Sequence, residues 1–187
     1  MTYSLKPVNN ISAIGQTTWD ACANPCLNEK QSLIPYDPFL SYNFLYALEK
    51  SGSAAVSTGW APYHLQLEHI KHGICGVVPM YLKNHSQGEY VFDHNWAEAF
   101  QRAGGRYYPK LQISVPFTPV TGRRILIPHF DTPELDQKEI ETHLISGMMQ
   151  VAEKLAVSSV HITFAEKSQY QRMGEHGFLQ RTHNQFH

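Results

Sequence analysis

The sequence carries few of the signatures that announce a common function. It has no Gly-x-Ser-x-Gly elbow, no phosphate-binding P-loop and no Gly-x-Gly-x-x-Gly fingerprint, which removes the commonest hydrolase and nucleotide-binding readings. Cysteine is scarce. Cys22, Cys26 and Cys75 are an odd number that builds no disulfide framework and fits a reducing compartment. Cys22 and Cys26 lack a second cysteine pair and a nearby His-x3-His, so no metal site is expected. Neither sign of charge dominates. The 15 Lys and Arg against 16 Asp and Glu leave −1 with histidine neutral, and no basic field to collect nucleic acid or anionic lipid. Long apolar runs are missing too. The longest, Gly73 to Leu82, is too short to span a bilayer, and Met1 to Trp19 holds no apolar signal-peptide core. The expectation is a cytoplasmic protein with no membrane span.

What is present is a globular composition: 187 residues, 42% hydrophobic and 17% charged, enough for one domain with a real core. Eleven histidines would swing the charge positive below about pH 6.5. Residues 1–36 are poorly defined, with a short strand around Ile11 and Ile14 and a helical turn stopped by Asn24-Pro25. Asp37-Pro38 supplies a cap and a first-turn proline for a helix carrying Leu40, Phe44, Leu45 and Leu48, ending at Ser51-Gly52. Tyr63–His69 and Ile74–Tyr81 read as a hairpin, and Lys83–Asp93 as polar and then extended. Trp96, Ala99, Phe100 and Ala103 recur at helical spacing in an amphipathic helix stopped by Gly104. Asp136, Glu139 and the pair Leu135 and Ile140 write a capping box and staple for a helix burying Ile140, Leu144, Met148, Val151 and Leu155. Val160, Ile162 and Phe164 alternate as a strand, Ser168 opens a short helix, and a last strand begins at Phe178. The mixed order reads as α/β (α+β) with one central sheet flanked by helices.

The stretch 106–122 is the most informative. Tyr107, Leu111, Ile113 and Val115 share one face, and Tyr108, Lys110, Gln112 and Ser114 the other, a half-buried strand with a polar face. Pro116 and Pro119 cannot donate to a ladder, so 116–122 is an irregular connection, leading to a partner strand at Arg123–Pro128. A polar strand face beside a broken ladder suits a cleft wall, and equally an exposed edge strand. Glu89 and Asp93, near His85, are the residue types that general acid–base work needs, although loop carboxylates are common. Trp96, Tyr107, Tyr108 and Phe117 suit an aromatic wall or ordinary core packing.

Several blocks carry a resemblance: Gly52 with Gly59-Trp60, the stretch 81–93, and above all Tyr107-Tyr108-Pro109-Lys110-Leu111-Gln112 with Pro116-Phe117-Thr118-Pro119-Val120-Thr121-Gly122. With these the chain resembles the FemAB-like predicted N-acyltransferases, bacterial proteins related to peptidoglycan biosynthesis. The resemblance covers about residues 35–187 and implies a GNAT-like fold. It also implies two consecutive lobes, so that this chain corresponds to the first lobe, with a second expected after Gln185-Phe186-His187.

Under that resemblance the lobe belongs to an acyl- or aminoacyltransferase moving an acyl group from an activated donor to an amine. Glu89 or Asp93 would be the base, and Lys110, Gln112 and the backbone around Thr118, Thr121 and Gly122 would bind substrate. No cofactor is expected. In acetyl-CoA users a glycine-rich turn at a helix N-terminus holds the pyrophosphate. Here the loop 128–136 has no glycine, two prolines and several carboxylates. The partners implied are an acyl or aminoacyl donor, an amine acceptor, and a second lobe or self-association through the strand at Phe178–His187. Nucleic acid is not expected, a charged tRNA serving as donor excepted. The alternative is a non-catalytic domain that supports a second lobe or another partner.

Overall fold

The structure, a computed structural model, describes residues 2–28, 31–32, 34–91 and 93–182. In chain order its elements are β1 (Tyr3–Val8), α1 (Gln16–Ala23), a ribbon of β2 (Cys26–Asn28) and β3 (Gln31–Ser32), and α2 (Tyr42–Lys50). There follow β4 (Trp60–Pro62), β5 (His64–His69), β6 (Gly73–Val78), β7 (Met80–Lys83), α3 (His94–Arg102) and β8 (Lys110–Ile113). The chain continues through α4 (Gln137–Lys154), β9 (Val160–Ile162) and α5 (Lys167–Glu175). It is an α+β protein, as the mixed order implies.

One long hairpin organises it. Residues 60–69 pair with 73–83, and each arm changes sheet part-way, at Tyr63 and at Pro79. Proline has no N–H for the ladder, so pairing breaks there, although the Tyr63 N–H still reaches the Met80 carbonyl at 2.8 Å. Apart from the β2–β3 ribbon, the strands of the described residues therefore form two sheets rather than one: β1-β5-β6, antiparallel, and β4-β7-β8-β9, in which β9 runs parallel to β8.

Helix α4 covers one side of both sheets. Ile140, Leu144, Ile145, Met148 and Val151 join Leu65, Leu67, Cys75, Leu111 and Ile113 in the main core. Its approach depends on glycine at two contacts. A Cβ on Gly76 would lie 2.7 Å from Leu144 Cδ1, and one on Gly147 2.7 Å from Leu5 Cδ1. A second core on the other side of β6 gathers Ile11, Trp19, Leu40, Leu45, Val77 and Leu126. His64 pins it to the sheet. Its Nδ1 accepts from the Met80 N–H at 3.3 Å, so Nε2 carries the proton and donates to Glu49 at 2.8 Å.

Several expectations change. Ile11 lies in a 3-10 turn, not a strand, with Asn10 accepting from the Ala13 N–H. The helix after Asp37 divides into a 3-10 turn, Pro38–Leu40, and α2, which takes its own cap from Ser41. Residues 123–128 do not pair with β8, because β7 and β9 occupy its two edges. Leu126 instead bridges Val77, and the Gln169 carboxamide of α5 stands in for a neighbouring strand by bonding the Arg124 N–H, the Ile125 N–H and the Ile125 carbonyl. The connection 116–122 is irregular, as the prolines require. Helix α3 forms where expected, but Trp96, Ala99, Phe100 and Ala103 are exposed and Ala97 is its buried residue. Residues 178–182 are not a strand, and Phe178 packs on the main core; the rest of that expected strand, Phe186 included, lies outside the described residues.

Candidate functional site

Register places a polar layer on the face of the second sheet opposite the main core. Trp60 pairs with Lys83, Lys83 with Lys110, Tyr81 with Gln112, and Gln112 with His161. Cross-strand partners share a face, so these side chains stand side by side. Alternation sends Leu82, Leu111 and Ile113 to the core side. The polar face is not solvated, as a half-buried strand would be. Lys83, Lys110 and Gln112 are fully buried, because the loop between β7 and α3 folds back over them.

The Lys110 ammonium anchors that loop. Its Nζ donates to Glu89 Oε2 at 2.8 Å, Asp93 Oδ2 at 2.7 Å and Ser86 Oγ at 2.9 Å, which uses all three protons. Ser86 Oγ lies 2.7 Å from the Tyr108 hydroxyl, and the Tyr107 hydroxyl donates to Asp93 Oδ2 at 2.8 Å. Both tyrosines therefore serve the polar side, where alternation had sent Tyr107 to the core. Lys83 lies 3.7 Å from the Trp60 ring centroid, donates to the Gln87 carbonyl at 3.2 Å and stands 4.0 Å from Glu89 Oε1. Trp60 Nε1 donates to the same Gln87 carbonyl at 3.1 Å, a second tether on the loop.

Burial and charge divide the titrating groups. Burial pulls the Lys83 amine down to about 7 against the opposing charge of Glu89. It raises the Glu89 carboxyl above the ordinary range, with Lys110 opposing. Burial pushes Asp93 the same way, but hydrogen bonds led by Lys110 outweigh it and hold that carboxyl below the ordinary value. Burial and the Asp93 bond push the Tyr107 phenol well above its ordinary value, so it stays a donor. Two adjacent carboxyls thus differ in proton affinity.

The layer also holds unused hydrogen-bonding capacity. Glu89 Oε1, Asp93 Oδ1, Gln112 Oε1, Ser114 Oγ and the Tyr81 hydroxyl are buried and make no hydrogen bond within the described residues. Native interiors leave few such groups, and several on one sheet face mark a place built for more than packing.

Of the residues singled out from sequence, Glu89, Asp93 and Lys110 meet in one cluster. Gln112 lies beside it, with Nε2 donating to Thr163 Oγ1 at 3.0 Å. Thr118, Thr121 and Gly122 do not join it. The Thr118 hydroxyl turns back to the Pro116 carbonyl, Thr121 is exposed, and the Gly122 N–H is taken by the Phe164 carbonyl in a parallel bridge. Lys83, Ser86 and His161 escaped the sequence reading. A lysine and a histidine alternating with apolar strand residues were the available signals, but only cross-strand register brings them to Lys110.

Two clefts flank the cluster. One of about 610 Å³ is walled by Trp60, Gln87 and Phe117, and one of about 280 Å³ by Phe100, Arg106 and Tyr108. Phe117 holds φ 58°, a left-handed conformation that a bulky side chain rarely adopts, and its ring crosses Gly88. Among the described residues no group of three or more His, Cys, Asp or Glu is arranged to hold a metal ion, and no helix is long and apolar enough to cross a membrane.

Fold and site together define an α+β protein with a buried lysine–carboxylate network under a surface loop, beside two open clefts. The sequence matches the FemAB-like family, described as peptidoglycan biosynthesis/recognition, over residues 10–187. The chain belongs to that family, which ties it to peptidoglycan biosynthesis. Neither a curated protein nor a solved structure gives a significant match.

Proposed function

We propose that the chain is a GNAT-like lobe of an acyl- or aminoacyltransferase and that the Lys110 cluster receives the amine acceptor. The observation that carries this reading is the pair of buried carboxylate oxygens, Glu89 Oε1 and Asp93 Oδ1, left without hydrogen-bond donors among the described residues beside a saturated lysine. Their chemical complement is an N–H donor. Of the two carboxyls, Glu89 has the greater proton affinity and is the better placed base, while Asp93, held ionised by Lys110 and Tyr107, orients the amine. An activated aminoacyl ester such as a charged tRNA fits as donor, in a bacterial cytoplasm. The test is aminolysis of activated acyl esters by a panel of amines, followed by mass spectrometry of the product. Glu89→Gln is expected to lower kcat about 10²–10⁴-fold at little change in KM. Wild-type rates no better than buffer with every amine would defeat the reading.

A non-catalytic reading draws on a separate observation. Trp96 and Phe100 are 57% and 48% exposed on α3, an apolar face suited to contact with another protein surface.

A further inference from the structure

The amine of Lys83 is a buried nucleophile that the acyl-transfer reading leaves unused. Register sets it between Trp60 on β4 and Lys110 on β8. Both lysines are fully buried, but they are partnered unequally. Lys110 holds two carboxylates and a hydroxyl, all within 2.9 Å. Lys83 has one acceptor among the described residues, the Gln87 carbonyl at 3.2 Å, and lies 3.7 Å from the Trp60 ring centroid. Glu89 Oε1 stands 4.0 Å from it, beyond hydrogen-bond range.

A charge buried on one neutral acceptor, with a second ammonium directly across the strand, is costly, and shedding the proton removes that cost. Burial leads the shift and Lys110 adds to it, against Glu89 and Asp93, so the amine falls to about 7. At neutral pH about half of Lys83 then offers a lone pair, against under about a thousandth of an ordinary lysine.

Both groups that touch the amine, Trp60 and Gln87, also wall the cleft of about 610 Å³. The rest of that wall supplies Leu48, Phe117 and hydroxyl side chains, and no Lys, Arg, Asp or Glu. Its histidine, His85, spends both ring nitrogens on backbone: Nε2 donates to the Thr58 carbonyl at 3.0 Å, and Nδ1 accepts from the Gln87 N–H at 3.1 Å. Such a wall suits a ligand without charge.

We propose that Lys83 is a covalent site for a small uncharged aldehyde, which enters from this cleft and is held as an imine. The amine nitrogen attacks the carbonyl carbon, forming the C–N bond of a carbinolamine. The hydroxyl then leaves as water, which carries away both hydrogens that the nitrogen gives up, and no oxidant or reductant is consumed. Glu89 is placed to carry these protons. Its Oε1 makes no hydrogen bond among the described residues, and burial raises the proton affinity of this carboxyl. The amine has no exposed surface, so Gln87 shifts to admit the aldehyde. The site does not depend on acyl transfer.

The experiment treats the full chain at about pH 7 with butyraldehyde and sodium cyanoborohydride, which fixes imines as secondary amines. Adducts are mapped by mass spectrometry at low conversion, with the exposed Lys154 and Lys167 as internal references. The expected result is Lys83 modified about tenfold faster than either reference or better, a preference that disappears in urea. Glu89→Gln, with its fold checked by circular dichroism, should slow modification of Lys83 about tenfold or more. Glyoxylate, an anion, should show no preference for Lys83. A Lys83 that stays unmodified, or reacts no faster than the references, would overturn the site, and so would a preference that survives in urea. Equal preference for glyoxylate would overturn the uncharged ligand, and an unchanged rate in Glu89→Gln the proton carrier. A chain inactive in aminolysis leaves this result intact, so the two readings fail separately.

Discussion

Lys110→Met tests the cluster most directly. One ammonium serves two buried carboxylates, at 2.8 Å and 2.7 Å, and methionine keeps most of the unbranched side chain while removing the charge. Breaking a buried ion pair from one side typically costs about 3–5 kcal/mol, because the charge left behind has neither water nor partner. Lys83 stands 4.0 Å from Glu89 and offsets part of the loss, so the lower half of that range is expected. Even about 3 kcal/mol is a large share of the roughly 5–15 kcal/mol that holds a domain folded. With urea slopes of about 1–3 kcal/mol per molar, the midpoint should fall by roughly 1–3 M. Circular dichroism in urea measures the shift. The control is the triple variant Lys110→Met, Glu89→Gln, Asp93→Asn, in which no charge is stranded and most of the loss should be recovered. A single variant losing under about 1 kcal/mol, or a triple variant no better than the single, would refute the reasoning, since stranded charge is its whole basis.

Other outcomes follow from the same structure. Lys83 has a folded-state pKa of about 7, depressed below its unfolded value of roughly 10.4, so stability should fall as pH drops from about 10 to 7. Lys83→Met should flatten that slope in urea midpoints taken across the range, and an equal slope in both proteins would exclude Lys83 as its origin. Gly76→Val should destabilise by about 1–3 kcal/mol, because even a Cβ there meets Leu144 at 2.7 Å and Ile140 at 3.3 Å. Pairing it with Leu144→Ala should recover part of the loss in thermal melts. Acetyl-CoA should not bind appreciably: Asp136 already bonds the Lys138 N–H at the start of α4, and Glu139 follows in the first turn. Calorimetry giving a dissociation constant tighter than about 10 μM would contradict that expectation.

Local order was written in the chain wherever one segment decides its own state. Asp136 before a 3.6-residue apolar stripe specifies α4, because cap and stripe belong to consecutive residues. The loop Ile70-Lys71-His72 before Gly73, with φ 71°, specifies the turn of the hairpin. Glu89 and Asp93 could be chosen because carboxylates suit acid–base work, and Lys110 because it stands on the polar face of its strand. Their meeting could not be read, since they arrive from a loop and from a strand whose neighbours are set elsewhere in the chain.

Alternation by itself determined that Lys110 and Gln112 face away from Leu111 and Ile113, since successive strand residues must point to opposite sides. It did not determine what each face meets. The fold decided that the polar face is buried under the loop 84–93, that β9 rather than 123–128 takes the second edge of β8, and that the apolar stripe of α3 stays exposed. Periodicity states only which residues share a side. Which side is covered depends on strand pairing and loop closure between segments tens of residues apart, and on whether a buried ammonium finds its carboxylates there.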